Sequence, residues 1–200
     1  MKKEFPYWNH NVAYYPWIKK KTDGCKKILD VGCGDGLLAS YLLTSDKQIT
    51  GIDPFPECIE SASKKYKGIS FVNTSFEEYE TDEKFDAIIF TASIHHMNMS
   101  DAIKKSKKML SDNGVLIIVG ISKPSGILDF VIEGLRVIPS MAVSKINHIT
   151  PCEEINVPVC YDIPDMKSIR KIIKEYLPNA KLGYGLHYRY LLEWKKERNT

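Results

Sequence analysis

No stretch of this sequence is apolar enough to span a bilayer. The most apolar segment, Ile127 to Ile138, is interrupted by Asp129, Glu133 and Arg136. Neither sign of charge dominates: 28 basic against 25 acidic residues leave a formal charge of +3. The densest basic stretch, Lys19-Lys20-Lys21 with Lys26-Lys27, reads as a solvated surface, not the concentrated patch a nucleic-acid binder uses. Cysteine is sparse. Cys25, Cys33, Cys58, Cys152 and Cys160 are odd in number and form no close framework, so reduced thiols in a cytosol are expected. The N-terminal MKKEFPYWNHN lacks the apolar run of a signal peptide. There is no repeat and no low-complexity tract. These absences point to a cytoplasmic protein without stable membrane anchoring and without a nucleic-acid partner.

What is present is an alternation of strands and helices. Lys27 to Val31 (KILDV) is an apolar run before glycines and predicts a buried strand. Gly36 to Thr44 has helical spacing, Gln48 to Ile52 is a second strand, and Pro56 to Tyr66 a helix with proline in its first turn. Ile69 to Val72 and Phe85 to Phe90 (FDAIIF) are a third and fourth strand, Ser100 to Leu110 a helix closed by Asp112-Asn113-Gly114, and Val115 to Val119 a fifth strand, apolar throughout. Asp165 is placed to cap a helix ending near Leu177, and Ala180 to Trp194 reads as a closing hairpin. The pattern predicts an α/β fold: a doubly wound, mostly parallel seven-stranded sheet with a C-terminal antiparallel hairpin. Its ligand would sit at the carboxyl ends of the strands.

The stretch from Ser122 to Pro164 breaks the alternation and is long for a core connection, so it is expected to be a helical lid insertion. Asp129, Glu133, Arg136 and Ser140 fall on one narrow stripe of an otherwise apolar helix. Such a helix must bury most of its circumference, over the site's mouth, in a dimer interface or on a membrane surface.

The strongest chemical signal is ILDVGCGDG, Ile28 to Gly36. A strand runs into Gly32, Gly34 and Gly36 and then into a helix. Glycine permits the tight turn and close backbone approach to a ligand, and free N–H groups at the helix start suit a carboxylate or phosphate. The G-x-G-x-G spacing differs from the dinucleotide fingerprint G-x-G-x-x-G. The second signal is Gly51-Ile52-Asp53, an acid closing strand two, where a carboxylate accepts both hydroxyls of a ribose.

These motifs resemble the first two of the class I S-adenosylmethionine-dependent methyltransferases, and FDAIIFTASIHHM (85–97) and KKMLSDNGVLIIVG (107–120) are similar to that family's fourth strand and fifth-strand entry. The resemblance covers about residues 25 to 121. The ends, WNHNVAYYPWI and HYRYLLEWKK, look like those of small bacterial members that act on small molecules. It implies one methyltransferase domain over 1–200: an N-terminal cap (1–24), a cofactor-binding core (25–121), a lid or substrate insertion (122–164), and a C-terminal helix and hairpin (165–200). It further implies that Gly32, Cys33 and Gly34 hold the methionine moiety of S-adenosylmethionine, that Asp30 orients this loop and reaches the amino group, and that Asp53 binds the ribose. Pro54 or Phe55 would pack on adenine, the Phe76 backbone would touch the ring, and Thr91, Ala92 and Ser93 would floor the site near the transferred methyl. Ser75 departs from the family's usual acid at the adenine amine.

Further candidates have two readings each. His95-His96 follows strand four, so one imidazole would serve as general base, or one is packed inside. His10, Asn11 and Tyr15 would close over the cofactor, or Tyr14, Tyr15 and Trp17 are core aromatics. Cys33 reads as a small buried filler. His148, Cys152 and Cys160 match no common zinc spacing, so no metal is expected. The apolar segment near Ile127, with Tyr161 or Tyr184, suits a flat or hydrophobic acceptor. The reading is methyl transfer from S-adenosylmethionine to a small-molecule acceptor by a monomer or dimer. Its rivals are a non-catalytic S-adenosylmethionine-binding regulatory protein and an NAD-dependent oxidoreductase. Methylases of base amines carry Asn/Asp-Pro-Pro-aromatic where Thr91-Ala92-Ser93-Ile94 stands, which speaks against a nucleic-acid base.

Overall fold

A computed structural model describes residues 5, 7–124, 126, 131, 134–136, 141 and 163–198. The strands are β1 (Lys27–Val31), β2 (Gln48–Asp53), β3 (Ser70–Asn73), β4 (Phe85–Thr91), β5 (Leu110–Ile121), β6 (Lys181–Tyr184) and β7 (Arg189–Lys195). They form a seven-stranded sheet in the order β3-β2-β1-β4-β5-β7-β6. The first five pair in parallel, whereas β7 runs antiparallel to both β5 and β6. The helices are α1 (Tyr15–Lys21), α2 (Leu37–Leu42), α3 (Pro56–Lys65), α4 (Met99–Met109) and α5 (Met166–Tyr176).

The continuous apolar runs of the central strands follow from burial on both faces, because successive side chains point to opposite sides. Leu29, Ile88, Phe90, Leu116 and Ile118 pack on one side with Ile103 of α4 and Ile169 and Ile173 of α5. Ile28, Ala87, Ile89, Ile117 and Val119 pack on the other with Ile18 of α1 and Leu38 and Leu42 of α2. The chain passes β1, β2, β3 in one direction and then returns to β4 on the far side of β1. That reversal opens a crevice beyond the carboxyl ends of β1 and β4, the place such sheets offer a ligand.

Several boundaries differ from expectation, most by one residue. Helix α2 is shorter, since Leu43 is already extended. Helix α4 begins at Met99, because the side chain of Asn98 accepts from Asp101 N at 3.1 Å and caps it. Strand β5 begins at Leu110, which pairs with Phe85 before an irregularity lets Asn113 turn through a left-handed conformation. Asp165 caps α5 as expected, accepting from Ser168 N at 2.7 Å.

The His148, Cys152 and Cys160 group, Tyr161 and most of the Ile127 to Ile138 segment lie outside the described residues. Within that segment Val131 and Leu135 are exposed. Arg136 donates from Nη1 to the Gly185 carbonyl at 2.9 Å. Among the described residues no helix is long and apolar enough to cross a membrane.

Candidate active site

One cleft of about 340 Å³ lies in the crevice, a size ordinary for a small-molecule site. Its floor is the β1–α2 loop. Gly32 and Gly34 both have positive φ, at 71° and 53°. A Cβ on Gly32 would stand 2.4 Å from Cβ of Ser93, so glycine is required there by space as well as by conformation. The Gly32 and Cys33 amides donate to the Ile52 carbonyl at 2.9 and 3.0 Å, tying the loop to the end of β2. Ser93, in the loop after β4, donates its hydroxyl to the Val31 carbonyl at 2.6 Å. Ala92 beside it has φ 55°, a strained conformation for a residue with a side chain.

Four acidic residues line this cleft, Asp30, Asp35, Asp53 and Glu77. Asp30 is buried, its Oδ2 has no hydrogen-bond partner among the described residues, and burial with the nearby Asp53 charge pushes its carboxyl up to about 7. Asp53 accepts from Gly34 N at 2.9 Å on Oδ2 and from Phe55 N at 3.0 Å on Oδ1. Burial still raises its pKa despite those two bonds. Asp35 accepts from the Tyr7 hydroxyl at 2.9 Å and from Leu37 N at 3.3 Å. At the start of α2 the Leu37 amide is thus bonded to the chain's own carboxylate.

Asp30, Gly32, Cys33, Gly34, Asp53, Pro54, Phe55, Ser75, Phe76, Thr91, Ala92, Ser93, Asn11 and Tyr15 all line this cleft, whereas His10 does not. Thr74, Ser75 and Phe76 close one end together with Pro54 and the half-exposed Phe55. The Ser75 hydroxyl donates to the Glu78 carboxylate at 3.0 Å and accepts from Glu78 N at 3.2 Å, so it serves its own turn. Phe76 is buried edge-on against Phe90, with ring centres 5.2 Å apart. Cys33 is buried and its thiol pKa is raised by burial and by Asp30, as a filler's would be. Tyr15 is both buried in the core and part of the cleft wall.

The histidine pair divides. His96 lines the cleft; His95 does not. Their rings sit 4.1 Å apart, tilted by 36°. Burial lowers both pKa values, that of His95 to about 4, while the Asp53 charge partly restores that of His96. Both are neutral near pH 7. Tyr184 lies away from the cleft. It lines a separate hollow with Trp8, Tyr14 and Arg136, and its hydroxyl is hydrogen-bonded by Arg170.

Sequence reasoning named Asn11 for the roof but passed over Tyr7 and Asn9. All three line the cleft from the N-terminal segment. That segment is pinned to the β6–β7 hairpin. Tyr14 donates to the Leu186 carbonyl at 2.7 Å, Arg189 donates to Oδ1 of Asn11 at 2.6 Å, and His10 stacks on His187 with ring centres 3.9 Å apart. No local pattern could have announced these pairings. Among the described residues no cluster of His, Cys, Asp and Glu suits a metal ion.

With this geometry in view, the comparisons are informative. A family model described as a methyltransferase domain matches residues 29–118. An uncharacterized methyltransferase of Mycobacterium tuberculosis (strain ATCC 25618 / H37Rv) is 26% identical over 195 residues, 94% of this chain and 96% of its own length. A ubiquinone biosynthesis O-methyltransferase of Actinobacillus pleuropneumoniae (serotype 5b, strain L20) is 28% identical over 177 residues, covering 75% of this chain and 76% of that protein. The solved structure of N-methyltransferase NodS from Bradyrhizobium japonicum WM9 with S-adenosyl-L-homocysteine has the same fold. It gives a TM-score of 0.62 at 18% identity over 98% of this chain and 90% of that one.

Proposed function

We propose that the chain is a class I S-adenosylmethionine-dependent methyltransferase and that it methylates a small-molecule acceptor held beside His96. The observation that carries the reading is the cleft. It joins a glycine loop in which Gly32 has no room for a side chain, a buried Asp30 carboxyl with a vacant acceptor atom, and Asp53 at the end of β2.

These residues fit the cofactor. Asp30, Asp35 and Asp53 make the floor acidic, which suits an ammonium and a sulfonium together. Asp53 would take the ribose hydroxyls on lone pairs left over from Gly34 N and Phe55 N, and Pro54, Phe55 and Phe76 would hold adenine. Gly32, Cys33 and Gly34 would carry the methionine portion, with Tyr15 packed behind it. S-adenosylmethionine supplies a methyl carbon bonded to positive sulfur, which an acceptor lone pair displaces directly.

The chain's part is then to align and to keep water out, which can supply much of the barrier reduction. Thr91, Ala92 and Ser93 form the wall against which the acceptor is pressed. Where the acceptor atom bears a proton, His96 takes it: the ring is neutral near pH 7, and Asp53 favours its charged form. His95 packs against that ring and sets its orientation. An O- or N-bearing small molecule is favoured by the curated relative that acts in ubiquinone biosynthesis and by the N-methyltransferase fold neighbour.

Calorimetric titration of the native chain and Asp53→Ala with S-adenosylmethionine and S-adenosylhomocysteine tests the premise. Micromolar binding that falls by about 30-fold or more in the variant is expected. An acceptor screen with His96→Gln follows, where kcat should fall by roughly a hundredfold with KM little changed. Binding of NAD in place of both nucleosides would overturn the reading. Binding without turnover on any acceptor would leave a sensor in its place.

A further inference from the structure

The acidic floor raises a question about charge. Asp30, Asp35, Asp53 and Glu77 all line the cleft, and Asp35 accepts from Leu37 N at the start of α2. That floor welcomes the cationic parts of an amino-acid sulfonium but repels its carboxylate. The carboxylate needs a donor elsewhere.

The roof holds one. Arg189 begins β7, is 9% exposed, and is fixed by its register opposite Ile121 of β5. Its Nη2 donates to Oδ1 of Asn11 at 2.6 Å. A guanidinium has donors only, so the partner atom must be the amide oxygen, and the orientation of the carboxamide follows from chemistry. The NH2 group of Asn11 is thereby turned away from Arg189. The backbone of Asn11 is held as well, donating to Oδ1 of Asn9 at 3.0 Å and accepting from Tyr14 N at 3.0 Å. Asn11 lines the cleft, on the side of β7 and not on that of β2, where Asp53 stands.

We infer that Asn11 donates from Nδ2 to the carboxylate of the cofactor's amino-acid end, and that Arg189 is the positioning residue that aims it. This rests on the cofactor reading above. A donor whose rotamer is locked before binding loses little entropy on use, and a bond to a charged group is stronger than one between neutral groups. Asn11 thus discriminates the intact amino acid from a ligand that has only the nucleoside thioether.

The experiment compares two ligands and three variants. S-adenosylhomocysteine carries the amino acid; methylthioadenosine keeps the adenosine and thioether and lacks it. Asn11→Asp still accepts from Arg189, so its melting temperature should not fall, yet it presents an oxygen where the donor was. It should weaken S-adenosylhomocysteine by about 30-fold and methylthioadenosine by less than about threefold. Arg189→Met frees the carboxamide to rotate and should lose about fivefold on the first ligand alone, and Arg189→Lys should restore most of that. Equal losses on both ligands, or no loss on S-adenosylhomocysteine in Asn11→Asp, overturn the assignment while leaving the cofactor reading intact. A native chain that binds neither ligand overturns both.

Discussion

At the Asp53 end of the cleft, the wall is made by residues close in the chain: Gly34 N meets the Asp53 carboxylate across 19 positions. At the Arg189 end it is made by residues far apart: Asn11 and Arg189 are separated by 178 positions, and Tyr14 and Leu186 by 172. The first end is built largely of backbone amides in a conformation glycine allows. The second is built of side chains locked by other side chains. A backbone-made site tolerates little variation in sequence, whereas a side-chain-made site can be rebuilt for another ligand without disturbing the sheet. The difference teaches where the general chemistry of cofactor binding and the particular chemistry of this chain each reside.

The contrast is sharpest in one glycine from each end. Gly32→Ala forces a Cβ to within 2.4 Å of Ser93 at φ 71°. It should cost more than about 1000-fold in affinity for S-adenosylhomocysteine, read by calorimetry. A well-folded variant with near-native affinity would break the claim that this end is made by the backbone.

The two ends also titrate with opposite sign. Asp30 is held protonated up to about 7 against an ordinary value of 3.8. Between those pH values the folded chain binds the proton more tightly than the unfolded one, so this residue lowers stability as pH rises from about 4 to 7. The swing is up to ~4 kcal/mol for so deeply buried a group. His95 and His187 are held near 4 by burial, His187 with the neighbouring His10 and Arg189 charges. They act the other way, removing stability as pH falls from about 6.5 to 4. Denaturant melts of native and Asp30→Asn across this interval should therefore diverge, the variant gaining on the native chain as pH rises. Parallel curves would refute the assignment of a protonated Asp30.

The second glycine, Gly185, has no room for a different reason: its Cβ would stand 2.5 Å from the Tyr14 hydroxyl. Gly185→Ala should displace that ring from the Leu186 carbonyl and cost about 1–2 kcal/mol in thermal stability, with methylthioadenosine affinity unchanged. A loss of nucleoside binding would show that the two ends are not separate. The smallest effect is expected from Tyr7→Phe. It removes one hydrogen bond to Asp35 and should speed release of S-adenosylhomocysteine by about fivefold in stopped flow, with little change in melting.

The same division explains what could be read before the structure. KILDV running into Gly32-Cys33-Gly34 and Asp53 closing β2 are local patterns whose consequences are local, and each predicted residue of that end reaches the cleft. The mostly parallel sheet with an antiparallel end followed from the alternation of strands and helices. What escaped was either a boundary decided by one cap, as at Asn98, or a contact between segments with no shared pattern. Arg189 within HYRYLLEWKK looks like any surface basic residue of a strand, and only the hairpin turn carries it inward. His187 and Tyr188 make that turn with φ of 58° and 56°, where tight hairpins ordinarily use asparagine or glycine. His95 and His96 were indistinguishable as neighbours, because a one-residue step on a 3-10 turn decides which ring faces the ligand.

The pinning of the N-terminal segment to the hairpin sets a schedule. During synthesis the glycine loop and its partner strands leave the ribosome well before Leu186 and Arg189 exist, so the nascent chain has a floor with nothing above it. The cleft acquires its upper wall only when the final hairpin adds to β5, among the last and most entropically expensive closures of the fold. A chain that has folded its sheet but not this hairpin would hold a nucleoside weakly.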